Sequence, residues 1–347
     1  MTDAIDWGLA VSTATRLAPN GPQIPREEAR EAVAMLRDLA QQAVDPVRDV
    51  TGLIAPVDDN AQVVDRQAWI ASNASSLRLV MGPLLEKAEE APSIVRGIGG
   101  KGTAVQIGAV LGWLSGKVLG QYEVFTEAQP RLLLVAPTIV HVEQQLGVPA
   151  RDFRMWVCLH EETHRVQFGA VPWLADHLLG LITEFVEASD IGLRQMLRSL
   201  AAAVSSLARS ATGSDTSVME AVQTPEQRAV FDRITALMSL LEGHADVVMD
   251  DVGPGIVPSV AMIRERFTQR RASPSAIDGI ARRALGLDVK LKQYSEGAAF
   301  VRHAIDTIGM DGFNRVWSAP GALPTRDEIR TPQRWVDRMQ APAEATA

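Results

Sequence analysis

The feature that most constrains this chain is a run without proline or glycine from Arg151 to Phe168. Apolar Phe153, Trp156, Val157 and Leu159 lead into His160-Glu161-Glu162-Thr163-His164, and Val166 and Phe168 follow. The pattern predicts a buried amphipathic helix. A buried face carrying two histidines and two glutamates needs compensation, because unpaired polar groups are costly away from water. Metal ligation supplies it. Histidines four apart stand one turn above each other, so both imidazoles reach one ion from the same face. The residue after the first histidine is turned roughly 100° around the helix. From there it misses the ion but reaches a water beside it, so Glu161 is the candidate general base. The competing reading is a solvated helix face with incidental histidines. The apolar flanks and the scarcity of histidine, six in 347 residues, weigh against it.

A catalytic zinc takes three protein ligands and keeps one position open for water, so one ligand must come from elsewhere. Gln167 and Ala170 stand where glycine and histidine would continue the motif into a three-histidine site, which removes that option. Glu184 or Glu187, in a segment able to return antiparallel past the site, are candidates, and so is His244. Glu242, in Glu242-Gly243-His244-Ala245-Asp246, is favoured. Asp246 lies one turn on and is placed to accept the outer N–H of a ligating histidine, and Ala245 permits close helix approach. The stripe Ile234, Met238, Leu241, Ala245, Val248 sets Glu242 at the border of the core.

These motifs carry a family resemblance. His160 to His164 with Arg165-Val166-Gln167-Phe168 and Val171-Pro172-Trp173-Leu174, then Leu241 to Asp246, then Leu285-Gly286-Leu287-Asp288 with Lys290-Leu291-Lys292-Gln293-Tyr294, resemble the zincin-like metallopeptidase type 2 family. Leu119-Gly120-Gln121-Tyr122 and Leu132-Leu133-Leu134-Val135-Ala136-Pro137 extend the likeness over about residues 60 to 340. That family is a group of presumed hydrolases of unknown substrate, one branch of which is associated with biosynthesis of the deazaflavin coenzyme. The resemblance implies a zincin fold and a metal site at His160, His164 and Glu242, with Glu161 as base. It implies no substrate.

Composition narrows the partners. A net charge of −8 and the lack of a basic block argue against nucleic-acid binding. Arg264, Arg266, Arg270, Arg271, Arg282 and Arg283 read as a solvated face or as carboxylate partners. The single cysteine, Cys158, excludes an intrachain disulfide and suits a reducing compartment; its place before His160 points to core packing. No basic n-region precedes an apolar stretch at the N-terminus, so no signal peptide and a cytoplasmic location are expected. Thr103 to Gly120 is mostly apolar, but Lys117 interrupts it. Gly108, Gly112, Gly116 and Gly120 recur every four residues, which reads as a glycine ridge for helix packing rather than a stable membrane insertion.

The remaining punctuation is helical. Pro25 opens one helix, and Thr224-Pro225-Glu226-Gln227 reads as a capped start for the helix bearing Glu242, ended at Asp251 to Gly255. Ser273-Pro274 and Thr325 to Glu328 open two more, and Leu132 to Ala136 is the best strand, part of a small sheet above the metal-site helix. The Gly/Ser-rich segment Ala211 to Thr224 reads as a linker or lid. The expected fold is mainly α (α+β): an N-terminal helical extension over 1–60, a zincin-like catalytic domain over 61–340 and a frayed tail over 341–347. The expected chemistry is zinc-assisted hydrolysis of a peptide or small amide, with Glu161 moving the water proton to the leaving amine. Tyr294 is the first choice for oxyanion donor, ahead of Tyr122, His244 and the arginines near Arg283. The alternative is a catalytically silent zincin acting as a scaffold or binding protein in a cofactor-biosynthesis pathway. Retention of Glu161 favours catalysis, because a purely structural site does not need that carboxylate. Oligomeric state is not legible.

Overall fold

A computed structural model describes residues 5–56, 61–88, 93–188, 224–272 and 287–341. In chain order the elements are α1 (Trp7–Leu17), α2 (Arg26–Gln42), α3 (Val44–Thr51), β1 (Ala61–Val64), α4 (Arg66–Ala88), α5 (Ser93–Leu114), β2 (Gly120–Glu123) and β3 (Arg131–Val135). Then follow α6 (Ala136–Leu146), α7 (Ala150–Ala170), α8 (Leu174–Glu187), α9 (Pro225–Val252), α10 (Val260–Ala272), α11 (Leu287–Asn314), α12 (Arg326–Arg330) and α13 (Pro332–Gln340). Among the described residues the chain is mainly helical with one three-stranded sheet, as expected.

In the sheet, β3 is central. β1 lies parallel to it with Ala61 opposite Leu132, and β2 antiparallel with Gly120 opposite Leu134. The apolar run Leu132 to Val135 is buried on both faces, which explains why it does not alternate with polar residues. Leu134 enters the cluster built around Phe153, Met155, Trp156, Val157, Cys158 and Leu159 of α7, to which α2 and α3 add Leu36, Leu39 and Val47. Leu133 and Val135 face the opposite cluster, formed with α1, α4 and α5. A third cluster joins α8, α9 and α11 to the C-terminal helices. Helix α9 bridges two of these, giving Val248 and Met249 to the first and Leu237, Leu240 and Leu241 to the third.

The glycine ridge differs from its expected form. Helix α5 ends at Leu114, so only Gly108 and Gly112 lie on it. A Cβ at either would come within 2.6 and 2.8 Å of the carbonyls of Ala10 and Ala14, so these two glycines admit α1 at backbone distance. The chain must turn into β2 beyond them, and the turn is fixed by Ser115 donating to Gly112 O at 2.7 Å and by Thr138 donating to Ser115 O at 3.0 Å. Gly116 packs on Pro19, and Gly120 belongs to the strand. Among the described residues no helix is long and apolar enough to cross a membrane. The Ser273-Pro274 start, Arg282, Arg283, nearly all of the Ala211 to Thr224 segment and the tail after Ala341 lie outside the described residues.

Candidate metal centre

Helix α7 begins after Pro149, runs unbroken through the histidine motif and stops before Pro172. Its long apolar face docks into the core and leaves His160 and His164 half-buried on the other side. Helix α9 arrives opposite. It starts as the sequence predicts, with Thr224 accepting from the Gln227 amide, Gln227 returning to the Thr224 amide and Pro225 in the first turn. It ends at Gly253, whose φ of 72° suits a residue without a Cβ. Gly243 has a different task. An added Cβ there would overlap the backbone of Gly297 and Ala298, and one on Gly297 would overlap Ser239, so α9 and α11 cross in direct backbone contact. That crossing clamps α9 from behind while Glu242 projects toward α7.

The result brings His160, His164 and Glu242 together, with ligand atoms all within 4.8 Å of one another. The two Nε2 atoms are 3.1 Å apart, and His160 Nε2 lies 3.6 Å from Glu242 Oε2. Donors about 2.0–2.1 Å from a tetrahedral zinc are about 3.3 Å from one another, so this spacing fits that ion. The chemistry fits as well: two imidazoles and one carboxylate are a donor set zinc accepts. Glu184, the competing candidate, is exposed and paired with Arg233, and Glu187 is exposed at the end of α8. His244 is fully buried and lies outside the three converging donors. Burial, and secondarily the nearby His164, push its pKa down to about 3, so the ring is neutral.

Glu161 is buried directly beside this group. Burial first, and then the facing Glu242 carboxylate, raise its pKa well above the ordinary carboxylate range. A divalent cation between the two carboxylates would relieve that repulsion. Strand β2 forms the other wall, and Gly120 makes room for the base: a Cβ there would lie 2.6 Å from Glu161 Cγ. Tyr122, two residues on and therefore on the same face, stacks on Phe168 with ring centroids 6.2 Å apart. Behind β2, Glu123 is held by Ser72 and Ser76 at 2.5 and 2.9 Å and by Arg131 at 2.7 Å, which fixes the strand to α4.

A cavity of about 330 Å³ opens over these residues, lined by His160, Glu161, His164 and Glu242 and by apolar Phe125, Phe168, Leu178, Met238 and Leu241. Tyr122 is in its wall. Tyr294 lies in α11, but its side chain is outside the described residues. Asp246 is ion-paired with Arg264 at 3.8 Å, and Arg264 also donates to its backbone carbonyl at 2.6 Å. The outer nitrogen of His164 meets Gln167, whose Oε1 is 2.9 Å away. Gln167 and Gly120 carry parts that sequence reasoning did not give them. Gln167 is three residues after His164, hence on the same helix face, and that spacing was a usable signal. Gly120 had none, because its neighbour is distant in sequence.

The chain is similar to known proteins. The model of a family described as zincin-like metallopeptidase matches residues 5–336. A solved structure from Chloroflexus aurantiacus, described as a presumed hydrolase with a novel fold, is 34% identical. It superposes with a TM-score of 0.71 over 98% of this chain and 100% of that one. No curated protein matches. The match over nearly the whole chain means that this protein belongs to the zincin-like metallopeptidase family.

Proposed function

We propose that this protein is a zinc-dependent hydrolase of peptides or small amides, with His160, His164 and Glu242 as ligands and Glu161 as general base. The observation that carries the reading is the convergence of three donors beside a buried carboxylate that bonds to none of them, at the floor of an apolar-walled cavity. Zinc held there would polarise a substrate carbonyl and make a water more acidic. Glu161 takes the proton from the attacking water as oxygen adds to the carbonyl carbon, and returns it to the amine as the C–N bond breaks. Its raised proton affinity suits that double duty. Tyr294, with Tyr122 of the cavity wall as second choice, is the donor for the carbonyl oxygen, while the apolar lining excludes competing water. A scaffold needs the ligands but not the base, so Glu161 separates the two readings. The test is zinc analysis of protein purified without chelator together with a peptide-library cleavage assay. One zinc per chain and cleavage abolished by chelator are expected. Full rescue of any cellular phenotype by Glu161→Gln would show that the protein acts without hydrolysis.

A further inference from the structure

We infer that Gln167 and His244 form an amide relay that sets the tautomer of His164, so that the helix supplying Glu242 also orients a second ligand. The inference rests on the proposed metal site for its meaning, but its evidence is separate. Gln167 is fully buried, and a buried primary amide must be bonded to be tolerated. Its Nε2 lies 2.9 Å from the carbonyl oxygen of Leu241 and 3.0 Å from His244 Nδ1, and its Oε1 lies 2.9 Å from His164 Nδ1.

Those three contacts leave one consistent set of protons. The Leu241 carbonyl can only accept, so the amide nitrogen must face it; the flipped amide would set two oxygens against each other. Oε1 therefore faces His164 and can only accept, which puts the His164 proton on Nδ1. His164 Nε2 is then left with its lone pair directed at His160 Nε2, 3.1 Å away, where an ion would be held. The second amide hydrogen points at His244 Nδ1, so that nitrogen accepts and the His244 proton sits on Nε2. Among the described residues that Nε2 has no hydrogen-bond partner, and the ring packs against Phe313 and Trp317 at centroid distances of 5.3 and 5.6 Å. A buried imidazole with one nitrogen left unpartnered is costly, and its bond to Gln167 is the polar contact it makes.

Leu241, Glu242 and His244 lie on one turn of α9. The same turn thus gives one ligand to the site and, through Gln167, fixes the orientation of another. Gln167 and His244 are positioning residues, acting through His164.

The experiment compares wild type, Gln167→Leu, Gln167→Glu and His244→Phe. Histidine tautomers are read by ¹⁵N NMR on the metal-free protein, zinc affinity by competition with a chromophoric chelator, and fold by circular dichroism. In wild type, His164 should be protonated at Nδ1 and His244 at Nε2. Gln167→Leu should mix the His164 tautomers and weaken zinc binding roughly 10- to 100-fold. Gln167→Glu keeps an acceptor for His164 and should preserve its tautomer; its other oxygen, now facing the Leu241 carbonyl, takes a proton to donate there, and His244 switches its proton to Nδ1 to face that oxygen. His244→Phe should weaken zinc by less than Gln167→Leu does. A His164 protonated at Nε2 in wild type, or zinc affinity in folded Gln167→Leu within threefold of wild type, would overturn the relay. If Gln167→Leu does not fold, the tautomers in wild type and Gln167→Glu decide. Wild-type protein that shows these tautomers but binds no zinc would support the relay and overturn the metal reading instead.

Discussion

Glu161 and Glu162 are neighbours on α7, both buried, and their surroundings could hardly differ more. Glu162 receives both arms of the Arg165 guanidinium, at 2.7 and 2.6 Å, and Arg165 also donates to the Pro56 carbonyl at 2.8 Å. Its negative charge is met by a positive one in bidentate geometry. Glu161, a helical step away, faces another carboxylate, Glu242, and a glycine. One glutamate is neutralised within the fold and ties α7 to the segment before β1. The other is held where its charge is least welcome, which gives it a high proton affinity beside the three converging donor atoms. The lesson is that a buried polar residue is informative by its partner: an answered charge argues for architecture, an unanswered one for chemistry.

The comparison predicts opposite phenotypes for the same substitution. Glu161→Gln should lower hydrolytic activity by roughly 10²- to 10⁴-fold. Because it removes repulsion with Glu242, thermal unfolding of the metal-free protein should come no lower than in wild type. Glu162→Gln removes the carboxylate that Arg165 grips with two nitrogens and should cost about 3 kcal/mol in a denaturant titration, with residual activity in the folded fraction. If Glu162→Gln removed activity without loss of stability, the division between the two residues would fall. Zinc content sharpens the division further: Glu242→Ala should lose most of the metal and Glu184→Ala none, measured as zinc per chain, and the reverse would move the third ligand to α8. Next in size is Gly243→Ala, which drives a methyl group into the backbone of α11 and should destabilise by about 1–3 kcal/mol. It should also weaken zinc binding, because the crossing holds α9 against α7. The smallest effect concerns the apolar side of α7. Burial in first place, with Glu161 and Glu162 adding to it, raises the Cys158 thiol far above its usual range. Native protein at pH 8 should therefore resist alkylation by iodoacetamide over hours and react once unfolded; rapid native labelling would show that this side of α7 is open.

The sequence alone determined what depends on local periodicity. Histidines four apart, an apolar face without helix breakers and a threonine–proline–glutamine start specify two helices and the faces they bury, because side-chain direction repeats every 3.6 residues whatever the rest of the chain does. Hence the extents of α7 and α9, the apolar strand β3 and the candidacy of His160, Glu161, His164 and Glu242 could all be read in advance. Tertiary structure decided what depends on residues far apart in sequence meeting in space. The four-residue glycine rhythm suggested one ridge, yet Gly108 and Gly112 admit α1 while Gly120 clears the space for Glu161, because the chain turns after Leu114. Gly243 marks a helix crossing rather than a flexible joint. Gln167 becomes the partner of His164 through the carbonyl of Leu241 and the ring of His244. A hydrogen bond has direction, and whether a buried amide presents its oxygen or its nitrogen is fixed by groups that only the folded chain brings within 3 Å.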